Sequence, residues 1–120
     1  MSVESNPRSL SLREHAALLW VLGSLDDRAE AELLYEQASL ATVRGGPETM
    51  LELALLGSPR RANVPDGPLP IRAVAYGRED SPEGEVLVWV RGGLLSAIEY
   101  AWYGDVQPTE IPAPYHLRRG

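Results

Sequence analysis

No cysteine occurs among the 120 residues. That removes disulfide frameworks, thiol nucleophiles and thiolate-held zinc or iron–sulfur centres from consideration. Lysine is absent too, and all 11 basic residues are arginines. With abundant alanine, glycine and proline, this usage matches the codon bias of a GC-rich genome more than a demand for arginine chemistry. Histidine is confined to His15 and His116, one expected on a helix and one in the tail, with no His-x-x-x-His, Glu-x-x-His or calcium-loop spacing around them. No Gly-x-Ser-x-Gly elbow is present either. Gly45-Gly46 and Gly92-Gly93 precede expected strands rather than helices, so neither makes a phosphate-cradling loop. The sequence thus supplies no catalytic set, no cofactor motif and no metal site. The longest apolar run, Ala16–Leu22, is far short of the roughly 20 residues that span a bilayer. The segment Met1–Pro7 is polar and acidic, unlike a secretory leader, and a cytoplasmic location is expected.

What is present describes one globular domain. An apolar share of 44% with 23% charged residues is ordinary for a packed protein, and this length can bury a core without staples. The net charge of −6 argues against a general nucleic-acid binder, because phosphate neutralisation dominates such binding. The acidity is uneven: residues 1–57 hold nine acids against four arginines, and residues 58–120 hold eight against seven.

Along the chain, residues 1–10 are expected to fray. Ser11 and Glu14 form a capping box that opens a helix running to Leu22 and ending at Gly23, with Leu12, Ala16, Leu18, Leu19 and Leu22 as its apolar stripe. Ser24 is the expected cap of a second helix reaching Ala38, with Asp26 and Asp27 in its first turn. Ala29, Leu33 and Gln37 or Leu34 would face inward and Asp26, Glu30, Glu32 and Glu36 outward. From Leu40 the period shortens. Leu40–Arg44 and Thr49–Leu56 read as a hairpin, although Met, Leu, Glu and Ala would also support a helix over 48–56. Residues 57–70 are a Pro- and Gly-rich connection, Ile71–Tyr76 a further strand, and residues 104–120 an irregular tail. The expected fold is α+β, with two helices on one face of an antiparallel sheet of about five strands.

The strongest local signal is residues 85–103, two β-branched and aromatic runs joined at Gly92-Gly93, a dipeptide suited to a tight hairpin turn. Pairing Val90 with Leu95 and Leu87 with Ile98 puts Leu87, Trp89, Leu94, Ile98, Tyr100 and Trp102 on one face. Val86, Val88, Val90, Leu95, Ala97, Glu99, Ala101 and Tyr103 share the other. The first face is expected against the helices. The second, too apolar for a solvated surface, is the expected contact surface, with candidates Val86, Val88, Val90, Ala97, Glu99 and Tyr103. Asp26 and Glu30 on the acidic helix are further candidates. Glu99 among valines, near Tyr103 and Asp105, could have a raised pKa and act as an acid–base group, or could simply pair with Arg72 or Arg91.

The run Val88–Tyr100 followed by Pro108–Pro112, with Pro65-Asp66-Gly67-Pro68-Leu69-Pro70 before it, resembles a group of short, uncharacterised actinobacterial proteins. The resemblance covers residues 63–112 and implies no activity. Small acidic α+β proteins also include immunity proteins of bacterial toxin systems, an analogy at the level of fold. The leading functional expectation is a protein–protein interaction module, immunity- or antitoxin-like, whose acidity steers it toward a basic partner. Two alternatives stand beside it: a ligand-binding or enzymatic domain with a pocket lined by Trp20, Trp89, Tyr100 and Trp102, and a structural homodimer within a larger complex.

Overall fold

Helix formation starts where a side chain can satisfy free amides. In the computed structural model, which describes residues 7–120, Ser11 Oγ accepts from Glu14 N at 3.1 Å and Glu14 Oε1 accepts from Ser11 N at 2.8 Å. This box opens α1, Leu12–Gly23. The side facing the core is Ala17, Leu18, Val21 and Leu22, while Leu12 is 92% exposed. The expected stripe is therefore rotated: Leu18 and Leu22 belong to it, but Leu12 lies outside the arc of the helix that faces the core. Helix α2, Arg28–Ala38, is capped by Asp27, whose Oδ1 accepts from Glu30 N at 3.2 Å. Ser24 closes α1 instead of opening α2. The buried side of α2 is Ala31, Leu34, Gln37 and Ala38, with Ala29 left exposed.

The two helices cover one face of an eight-stranded antiparallel sheet. Its strands are β1 (Arg8–Ser9), β2 (Ala41–Gly45), β3 (Met50–Leu55), β4 (Gly67–Pro68), β5 (Ala73–Tyr76), β6 (Pro82–Arg91), β7 (Leu94–Trp102) and β8 (Leu117–Arg119). They run in the order β1-β2-β3-β7-β6-β5-β8, with β4 on the part of β6 that β5 does not reach. Residues 50–55 are strand, so the alternation around Glu52 outweighs the helix propensity of its neighbours.

The three strands beyond the expected five are β1, β4 and β8, each too short to show a period of two. Two corrections follow. Residues 8–9 pair with β2 instead of fraying; the remainder of that expectation, residues 1–6, lies outside the described residues. The tail is not irregular throughout, because fully buried Ile111, then Ala113 and Leu117, anchor it and β8 extends the sheet beside β5.

The segment 57–70 is pinned rather than loose. Gln37, fully buried, donates from Nε2 to Arg60 O at 2.9 Å and Gly93 O at 2.8 Å, and accepts from Leu95 N at 2.8 Å. Ala62 N also donates to Gly93 O, and Leu69 N to Val88 O. One hydrophobic cluster joins α1, α2 and the inner sheet face, and each fully buried Leu in it contributes about 1.5–3 kcal/mol relative to exposure. No helix among the described residues is long and apolar enough to cross a membrane.

Candidate interaction surface

A single extra residue decides which side chains the helices cover. Gly92 and Gly93 form the hairpin turn, with φ of 58° and 76°. Val90 pairs with Leu95 as expected, but Trp89 pairs with Ala97, so Ser96 is extra on β7. A bulge of this kind reverses the parity of everything beyond it. Val86, Val88, Val90 and Leu95 therefore share a face with Ile98, Tyr100 and Trp102, and that face meets the helices. This overturns the expected contact surface at three of its members. Val86, Val88 and Val90 are 0–2% exposed in the core, where uninterrupted β-branched packing is favourable. Gly84 continues the same inner row. A side chain there would meet the Tyr100 ring and the backbone of Ala101.

Neither helix packs on the opposite face. The molecule measures 44 × 43 × 23 Å, a slab whose thinnest dimension holds one sheet and one layer of helices of about 10 Å each. Strand register arranges the open face in rows. Glu52, Ala97 and Trp89 are neighbours across β3, β7 and β6; Met50, Glu99 and Leu87 form the next row; Ala101, Glu85 and Val74 form the third, extending to Arg118 on β8. Leu87, Trp89 and Met50 are half-buried by their neighbours alone, while Ala97 and Val74 sit low between larger side chains.

The polar groups of this face, Glu52 apart, are paired with one another. Trp89 Nε1 donates to Glu99 Oε1 at 2.9 Å. Glu85 accepts from Arg72 Nε at 3.1 Å and from the Tyr103 hydroxyl at 2.9 Å. Burial, then the neighbouring Glu85 carboxylate, pushes the Tyr103 hydroxyl above its ordinary pKa. The hydrogen bond to Glu85 raises that of Arg72. Beside them Arg118 lies 4.4 Å over the Tyr76 ring and pairs with Asp80 at 2.7 Å. The result is an apolar centre with its hydrogen bonds already made and acids on the middle strands.

Of the remaining candidates, Ala97, Glu99 and Tyr103 lie on this open face. The expected pairing of Glu99 with Arg72 or Arg91 gives way to the Trp89 indole, and Arg72 goes to Glu85. Asp26 and Glu30 do not join the face. Asp26 stands between α1 and α2, with Arg119 at 3.9 Å, and Glu30 Oε2 accepts from Asn63 N at 2.6 Å. The pocket expected between Trp20, Trp89, Tyr100 and Trp102 does not form, because Trp89 and Tyr100 point to opposite faces of the sheet. His116 packs against Tyr115 with ring centroids 4.2 Å apart. Leu87, Trp89 and Met50 are the residues that sequence reasoning left out of the face. The signal available was Ser96, a small polar residue interrupting an apolar alternation.

Searches against protein-family models, curated proteins and solved structures return no match.

Proposed function

We propose that this chain is a protein-binding module of the immunity- or antitoxin-like kind, which docks a basic protein toxin on the open face of its sheet. The observation that supports this reading is that face itself, with Leu87, Trp89, Met50 and Ala101 surrounded by Glu52, Glu85 and Glu99. Energetic hot spots in interfaces favour a tryptophan seated among well-packed neighbours, and truncating one typically costs 2 kcal/mol or more, about 30-fold in affinity. Because Glu99 already satisfies the Trp89 indole, covering it strands no buried donor. The choice of a basic partner follows from charge. The net charge is −6, the middle strands contribute Glu52, Glu85 and Glu99, and Arg72 and Arg118 at the β5–β8 side are already paired, while Arg44 and Arg91 at the turn end of the face stand beside Glu52 and Asp66. Such a field speeds encounter with a cationic protein and weakens as salt rises.

The test begins with the partner that co-purifies with the full chain from its native host. The reading requires a protein of high isoelectric point whose affinity falls about 30-fold or more with Trp89→Ser and with Leu87→Arg, and stays within about twofold with Glu32→Gln on the helix layer. A partner bound equally by the wild type and Trp89→Ser contradicts it. If light scattering shows the chain bound only to itself, the homodimer reading replaces it.

A further inference from the structure

Six arginines of the described residues have a carboxylate partner: Arg8, Arg13, Arg60, Arg72, Arg118 and Arg119. Of the other five, Arg44, Arg61 and Arg91 line a single groove of about 480 Å³, and no acidic residue lines it with them. Arg44 and Arg91 also border an adjoining hollow with Glu52 and Asp66, but on the side of this groove three guanidinium groups converge with no carboxylate among them, in a chain of net charge −6. Arg61 Nη1 donates to Gly92 O at 2.7 Å, which fixes its guanidinium at the hairpin turn. Arg44 and Arg91 make no ion pair among the described residues. The Ser58 and Ser96 side chains complete the polar lining, and half-buried Leu55 and Leu94 add apolar surface.

The groove exists for a physical reason. β3 pairs with β7 only through Met50–Glu52, and beyond that point the Ser96 bulge and the Gln37 amide, which takes the Leu95 N–H, part the two strands. Leu56 N donates to Leu40 O, so the alternation of antiparallel pairing turns the backbone groups of Leu53 and Leu55 away from β2 and toward the opening. Guanidinium forks and backbone amides are the groups that grip phosphate and carboxylate oxygens, and Arg does so in bidentate fashion.

We infer that this groove binds an organic dianion, a phosphate or dicarboxylate head held by Arg44, Arg61 and Arg91 with its apolar body against Leu55 and Leu94. The site lies at the hairpin turn and does not depend on the proposed protein partner. Phenyl phosphate and phenylsuccinate distinguish the two head groups, and benzylamine serves as the cationic control. Each is titrated into the full ¹⁵N-labelled chain at low ionic strength while the arginine Nε–H signals are followed. Saturable shifts are expected at Arg44, Arg61 and Arg91 with the anions, with a dissociation constant of about 1 mM or below. The tighter of the two anions identifies the head group. Arg44→Gln and Arg91→Gln should each weaken binding about tenfold, as loss of a charge-assisted hydrogen bond does. Both positions are exposed, and an unchanged melting temperature will show that the variants fold. Arg78 is the internal reference, since it too lacks a carboxylate partner and lies outside the groove. Shifts of equal size at Arg78, or none at the three groove arginines, would overturn the assignment.

Discussion

Glu14 is buried where β1 meets α1, and three hydrogen bonds hold its charge there. Arg8 donates to both of its carboxylate oxygens, at 2.8 and 2.9 Å, and Ser11 N donates to Oε1 at 2.8 Å. The Arg8 hydrogen bonds hold the Glu14 carboxyl below the usual range, against the opposing effect of burial, and the Ser11 amide adds to them. A carboxylate whose pKa is depressed on folding contributes stability above its unfolded value, near 4.3, and loses it as pH falls through the lower folded value. Glu14→Gln should therefore cost about 1–2 kcal/mol at neutral pH, a figure reduced because Arg8 is half exposed, and less at about pH 3, below the unfolded value, where part of that contribution is already lost. Urea unfolding at the two pH values measures this, and an equal loss at both would show that shape rather than charge holds the junction. The capping half of this arrangement was readable from Ser-x-x-Glu alone. Arg8 was not, since nothing local says that a two-residue strand will bring it within reach.

At the scale of elements, the β6–β7 hairpin shows how far periodicity carries. The strands, the Gly92-Gly93 turn and the first pair, Val90 with Leu95, all follow from residue type. The faces do not, because a bulge changes parity without changing composition, and Ser96 reverses half of each face. The same limit explains the helix stripes, where Leu12 and Ala29 fit the period but lie outside the arc that the sheet contacts. Deleting Ser96 alone would remove the bulge and leave Ala97 opposite Trp89, with both faces as they are, whereas deleting Ser96 and Ala97 together would turn Ile98 and Tyr100 outward. Losing those two from the core costs roughly 1.5–3 kcal/mol each, so a severe drop in melting temperature or failure to fold is expected of the double deletion. Deleting exposed Gln107 from the loop after β7 should shift it by only a few degrees. Thermal unfolding of the three deletions side by side decides the matter, and a double deletion that melts with the single ones would mean that strand register does not set the faces.

At the scale of the molecule, an eight-stranded sheet carries helices on one side only. The sequence pointed to an apolar sheet face without enough helix to cover it, and to an acidic chain. It assigned that face to the valines, which are core, and left Leu87 and Trp89 in the interior. The proposed role rests on the corrected face, whose partner must cover Trp89. Site-specific photo-cross-linking in the native host tests this most directly, with a benzophenone side chain replacing Leu87 on the open face or Glu32 on the helix layer. We expect a single dominant adduct, to a basic protein, at position 87 and none at position 32. Adducts at position 32 alone, or at neither position, would contradict the assignment of the open sheet face as the binding surface.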